Sequence, residues 1–194
     1  MEQTYREQLT AIIGHQETSE ERFDSMAKAC KKDFDRHEIE KVAEDEYYCR
    51  RPGTGIMSFR VLFKPGAIIV YGDIGEMILT QYNLTMGWLF EAVHSRGYFF
   101  EKCRTKRRTF NPMDAAEQLD WYAQQDVDCS ENSRQLWEAW DPELREEYEL
   151  ENEWYSACSS IDGEAIVCEH YDYDDMRCYE ALKWFTTGLR KQHL

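Results

Sequence analysis

Residues 56–82 read IMSFRVLFKPGAIIVYGDIGEMILTQY, and the periodicity of this stretch sets the fold class. Met57, Phe59, Val61 and Phe63 alternate with Ser58, Arg60 and Leu62, the period of two that turns one side of a strand toward a core. Pro65-Gly66 turns the chain, and Ala67 to Tyr71 forms a second, β-branched run. Gly72-Asp73-Ile74-Gly75 supplies two glycines for positive backbone dihedrals before a third strand from Glu76 to Tyr82. From Thr85 the period lengthens: Met86, Leu89, Phe90 and Val93 fall at helical spacing, so a helix is expected to pack its apolar side on the sheet. The expected class is α+β, a small antiparallel meander at about 56–82 with helices before and after it and an additional strand at 164–170.

Working outward, residues 3–14 and 18–34 read as helices, with Leu9, Ile12 and Ile13 on one face of the first and Phe23, Met26, Ala27 and Cys30 on the second. Thr18 or Ser19 caps the second; Arg22, three residues after Ser19, lacks the carboxylate of a capping box. His37 to Tyr47 is expected to be a third, narrow-faced helix built on Ile39, Val42 and Ala43, ended by Arg51-Pro52-Gly53-Thr54-Gly55. Beyond the core helix, Asn111-Pro112-Met113-Asp114 leads into a helix carrying Ala115, Ala116, Leu119 and Tyr122. Asp126 to Asn132 reads as a loop, and Leu136, Trp137 and Trp140 belong to the next helix. Asp141-Pro142-Glu143 starts another, and Asp174 to Arg190 closes the chain with Met176, Tyr179, Leu182 and Trp184 or Phe185 inward.

Charge divides the 194 residues more sharply than hydropathy does. The formal net charge of -15 splits into -4 for residues 1–55, +4 for 56–112 and -15 for 113–194. These three segments are read as N-terminal helices, sheet with core helix, and an acidic helical region forming one compact unit with the sheet. An acidic excess of this size attracts a positively charged partner and opposes direct binding to nucleic acid. The five cations between Lys102 and Arg108 (Lys102, Arg104, Lys106, Arg107, Arg108) are read as neutralising the acidic C-terminal half. Seven scattered cysteines without paired spacing fit reduced thiols, and no basic-then-apolar leader or long apolar run is present, so a cytoplasmic protein with no membrane association is expected.

The chemistry follows the carboxylates. A helix over Glu143 to Glu153 carries Glu143, Glu146, Glu147, Glu149, Glu151 and Glu153, and Glu143, Glu147 and Glu151 recur every fourth residue. On one helix these lie about 5–6 Å from neighbour to neighbour, near the spacing of backbone phosphates, so the row fits a cationic groove built for nucleic acid. The plain alternative is a solvated acidic face. A second cluster, Cys158, Cys168, His170, Asp172, Asp174, Asp175 and Cys178, has poor spacing for structural zinc and no calcium loop; a metal-dependent enzyme using His170, Asp172, Asp174 and Asp175 is the rival from another class. No phosphate loop and no Gly-x-Ser-x-Gly context occurs, so no catalytic residue, metal ligand or cofactor is assigned.

Phe63-Lys64-Pro65-Gly66, Tyr71-Gly72-Asp73-Ile74-Gly75-Glu76, Trp88-Leu89 and Tyr98-Phe99-Phe100-Glu101-Lys102, together covering about residues 56–104, resemble a family of small, largely uncharacterised bacteriophage proteins. The resemblance implies phage or prophage origin. An acidic phage protein is similar in kind to anti-defence inhibitors, anti-CRISPR proteins among them, with a basic host protein or nucleoprotein complex as partner and nucleic-acid mimicry as the means. A scaffold or regulatory subunit of phage machinery is the third reading. Oligomeric state is left open.

Overall fold

The computed structural model describes residues 3–106, 108–125, 127–144, 149–160 and 168–192. In chain order the elements are α1 (Tyr5–Ile13), α2 (Ser19–Asp33), β1 (Glu38–Ala43), β2 (Glu46–Arg50), β3 (Phe59–Lys64), β4 (Ala67–Gly72), β5 (Gly75–Thr80), α3 (Met86–Ala92), α4 (Arg96–Glu101), β6 (Arg108–Phe110), α5 (Pro112–Ala123), α6 (Val127–Trp140), α7 (Leu150–Ser160), β7 (Glu169–Tyr171) and α8 (Tyr173–Gln192). The fold is α+β, a five-stranded antiparallel meander with helices on both sides of it in sequence. Contacts divide the chain into two units, residues 1–22 with 108–170, and residues 23–107 with 171–194. Their boundaries differ from the divisions at 55/56 and 112/113 drawn from charge.

The second unit holds the sheet, in the order β1-β2-β3-β4-β5. The alternation in the sequence is the alternation in the fold: Phe59 and Val61 of β3, Ile68 and Val70 of β4, and Met77 and Leu79 of β5 are all buried. The strand expected from Met57 begins at Phe59, because Met57 sits in the left-handed region at φ 60°. The third ends at Thr80, leaving Tyr82 88% exposed. α8 adds Met176, Cys178, Tyr179, Leu182 and Phe185 to this core, and α2 adds Phe23, Met26 and Cys30. The Tyr179 hydroxyl donates to the Val93 carbonyl at 2.9 Å, satisfying the one polar atom that this ring carries inward.

The helix expected over His37 to Tyr47 is instead the hairpin of β1 and β2. Tyr48 pairs with Arg60 and Cys49 with Phe59, so the backbone groups that a helix would satisfy locally are satisfied by β3. Cys49 is buried, and the Tyr47 ring packs on Phe185 with centroids 5.2 Å apart. Ile39, Val42 and Ala43 fit helical spacing, but β-branched and aromatic residues beside an exposed sheet edge gain more from the ladder than from an isolated, highly charged helix.

The first unit is helical, built on α1, α5, α6 and α7 around Leu9, Met113, Ala116, Leu119, Trp140, Leu150 and Trp154. β6 and β7 form a two-stranded sheet; residues 161–167, most of the strand expected at 164–170, lie outside the described residues. α6 starts at Val127, where the sequence suggests a loop through Asn132. Only Ser133 and Trp140 of it are buried, so its opening turns need no apolar stripe, and Arg134 bridges Glu131 and Glu138 along the exposed face. At α2, Thr18 closes a capping box: its Oγ1 accepts from the Glu21 N–H at 3.3 Å and Glu21 Oε2 accepts from the Thr18 N–H at 2.9 Å. Of the two expected candidates, Thr18 and Ser19, the cap is Thr18.

Candidate interaction surface

The two units differ in formal charge by 19, as much as residues 56–112 and 113–194 do along the chain, but with different boundaries. Residues 1–22 and 108–170 carry 22 acidic and 5 basic side chains, a formal -17, whereas residues 23–107 and 171–194 carry 16 acidic and 18 basic ones, a formal +2. Two of the cations of the acidic unit, Arg6 and Arg134, pair with its own carboxylates. Arg6 lies 2.6 Å from Glu21, and Arg134 lies 2.6 Å from Glu131 and also bonds Glu138. The hydrogen bonds from Arg134 and then Gln135 lower the Glu131 carboxyl to about 2.

Several carboxylates in this unit have structural work that sequence order conceals. Asp120 of α5 accepts from the Tyr5 N–H at 2.7 Å and the Arg6 N–H at 3.1 Å, which places a full negative charge on the N-terminus of α1. Asp114 accepts from the Ser19 N–H at 2.7 Å and from the Ser19 hydroxyl at the start of α2. Neither partner is near in sequence, so no local signal marks these acids as caps.

The glutamates singled out by spacing are distributed over two elements. Glu143 lies exposed in a 3-10 turn, Pro142–Leu144, and Glu151 and Glu153 lie in the first turn of α7, which begins at Leu150 in place of a helix running from Glu143 to Glu153. Asp141, at φ 44°, ends α6 just before that turn. Glu149 precedes α7, and Glu146 and Glu147 lie outside the described residues. Two α7 residues beside these glutamates are core: Leu150 is 1% exposed, Trp154 is fully buried, and the Trp154 ring meets Trp140 edge-on at 5.1 Å. On α7, Leu150 and Trp154, one helical turn apart, face inward, which leaves Glu151 exposed and Glu153 half-buried.

Asp172 of the second cluster caps a helix and its cysteines are buried thiols, while the side chain of His170 lies outside those described. Asp172 Oδ1 accepts from the Asp174 N–H at 3.2 Å at the start of α8, and Asp174 lies 3.7 Å from Arg177. Asp172, Asp174 and Asp175 line a cleft of about 220 Å³ with Gly75, Glu76 and Thr105. Among the described residues no group of three or more His, Cys, Asp or Glu side chains is placed to hold a metal ion. Burial pushes the Cys168 thiol up to about 12 and raises Cys178 further, which keeps both protonated at neutral pH.

Lys102, Arg104 and Lys106 make their contacts with neighbours in the sheet unit. Lys102 Nζ lies 3.7 Å from Glu101, Arg104 Nε donates to Thr80 Oγ1 at 2.6 Å, and Lys106 Nζ donates to the Phe100 carbonyl at 3.1 Å. None of these bonds reaches residues 113–194, the region the cluster was expected to neutralise. Arg107 lies outside the described residues.

No helix among the described residues is long and apolar enough to cross a membrane. No protein-family model matches the chain, and no curated protein or solved structure matches it.

Proposed function

We propose that the protein is an acidic binding protein whose 1–22/108–170 unit engages a cationic, nucleic-acid-handling host complex and inhibits it by occupying a groove meant for phosphates, in the manner of phage anti-defence proteins. The observation that carries this reading is the separation of a formal -17 from a formal +2 between the two units. A charge excess spread evenly over a surface serves solubility; concentrated on one unit, it produces a directed field that steers association with a basic partner. Exposed Glu143 and Glu151, with Glu149 and Glu153 beside them, supply carboxylates on this unit over a buried Trp and Leu support.

The test uses purified host nucleic-acid-binding effectors, RNA-guided nucleases among them, each pre-bound to its nucleic acid. The protein is expected to release that nucleic acid, and release should weaken as salt rises, because the Debye length falls from about 10 Å at 0.1 M to about 3 Å at 1 M. Changing Glu143, Glu147 and Glu151 together to Gln keeps side-chain shape while removing charge, and should reduce both association rate and release. A triple variant as effective as the parent removes these glutamates from the mechanism. Failure of the parent to release nucleic acid from any effector removes the reading itself.

A further inference from the structure

The sheet unit presents a second surface of opposite character. The Trp88 Nε1–H donates to the Tyr98 hydroxyl at 3.2 Å, and that hydroxyl donates to Gln81 Oε1 at 3.1 Å. The two rings lie 6.1 Å apart, and Lys102 Nζ sits 5.0 Å from the Tyr98 centroid. Tyr98 is nevertheless 37% exposed, and Tyr82, next to Gln81, is 88% exposed. Arg104, held to Thr80 Oγ1, is exposed and has no carboxylate partner among the described residues.

An exposed tyrosine is ordinary by itself; what distinguishes Tyr98 is that its exposed ring is held in place. Here hydrogen bonds fix the Tyr98 ring from both sides of its hydroxyl while leaving it in water, which lowers the ordering cost of stacking something on it. Lys102, whose Nζ also lies 3.7 Å from Glu101, and Arg104 belong to the basic cluster of residues 102–108. A ring fixed at the surface offers a π-face to any base, and Lys102 and Arg104 offer charge to the phosphates on either side of that base.

We propose that Trp88, Tyr98, Tyr82, Lys102 and Arg104 form a binding platform for a short single-stranded nucleic-acid segment. One or two bases stack on the tyrosines, and the flanking phosphates meet the two cations. An acidic protein segment would use the cations but leave the fixed rings without a function, so the observations favour the nucleic acid. This platform lies wholly in the +2 unit and does not rest on the acidic-unit reading.

The experiment titrates the full-length protein into fluorescently labelled oligothymidylate and, separately, oligouridylate of the same length, at salt near 0.1 M, where a Debye length of about 10 Å screens distant acidic groups. Binding of one or both is expected, the stronger arm identifying DNA or RNA. The log of the affinity should fall with log salt at a slope of about -1.4 for two neutralised phosphates on a single strand. Lys102→Gln or Arg104→Gln should each remove about 0.7 from that slope. Tyr82→Ala and Tyr98→Ala should each weaken binding at least about tenfold, with Tyr98→Phe weaker in effect because it keeps the ring. Circular dichroism verifies the fold of each variant, and Tyr82 is exposed enough that its removal tests contact alone. No binding of either oligonucleotide, affinity unchanged in the Tyr82 and Tyr98 variants, or equal binding of an oligoglutamate peptide overturns the proposal.

Discussion

The indole N–H of Trp140 donates to the carbonyl oxygen of Leu150 at 3.0 Å, and both residues are buried. This bond joins the end of α6 to the start of α7 across the turn at Pro142–Leu144. It anchors the segment that carries the exposed glutamates. Trp140→Phe removes the donor and some volume and should lower unfolding free energy by about 1–3 kcal/mol; Trp140→Ala should cost about 3–5 kcal/mol. Urea unfolding followed by circular dichroism measures both, and an unchanged midpoint for Trp140→Phe would show that the bond contributes nothing.

Two glycines separate backbone crowding from side-chain crowding. A Cβ on Gly72, at φ 142°, would lie 2.5 Å from the Ser58 carbonyl oxygen and 2.8 Å from the Phe59 Cα, neither of which moves without breaking the β3–β4 ladder. Gly72→Ala should therefore lower stability by roughly 3 kcal/mol, the upper end of overpacking costs. A Cβ on Gly188 would crowd the terminal Cδ1 of Ile39, at 2.7 Å, and otherwise make ordinary contact with its Cγ1 at 3.8 Å. Rotation of Ile39 relieves that contact, and the helix propensity gained, about 1 kcal/mol, offsets it. Gly188→Ala should leave the urea midpoint nearly unchanged, and comparable losses in the two variants would refute the distinction.

The His37 ring provides a pH dependence whose sign is fixed by its surroundings. Its Nε2–H donates to the Met57 carbonyl at 3.1 Å, its ring packs edge-on against Phe34 at 5.3 Å, and its Nδ1 is buried without a hydrogen-bond partner. Burial lowers its pKa, against a smaller raising effect of the Met57 bond. A histidine whose folded pKa lies below its unfolded value of about 6.5 contributes stability that is complete above that value and is lost as pH falls toward the folded one. The urea midpoint should drop between pH 7 and pH 5, and His37→Gln should flatten that drop. An NMR titration placing His37 at or above the ordinary histidine range would contradict it.

Much of the sheet was legible because its information is local. Phe59 and Val61, Ile68 and Val70, and Met77 and Leu79 alternate with outward residues, and side chains two apart must share a face of a strand whatever the strand pairs with. The Pro65-Gly66 and Gly72–Gly75 turns and the Met176, Tyr179, Leu182 stripe of α8 are readable for the same reason. β1 and β2 were not, since Ile39, Val42 and Ala43 satisfy a helical period, and only the ladder to β3 decides between the two structures. The candidate site was less legible still. Spacing alone selected the glutamates from Glu143 to Glu153, but it could not show that Leu150 and Trp154 beside them are core, or that Asp114 and Asp120 cap helices whose starts lie about a hundred residues away in sequence.

What the sequence determined by itself was the class of the fold, the meander at its centre and the net charge of -15. The sequence also placed most of that charge beyond residue 112; only the tertiary structure decided which segments share it. Residues 1–22 join 108–170 in one unit, and 171–194 return to the sheet in the other, so the division into -17 and +2 follows contacts between segments distant in the chain. Periodicity encodes which side of an element is buried; which elements bury those sides against one another depends on the shape and volume of all of them together, and no window along the chain contains that information.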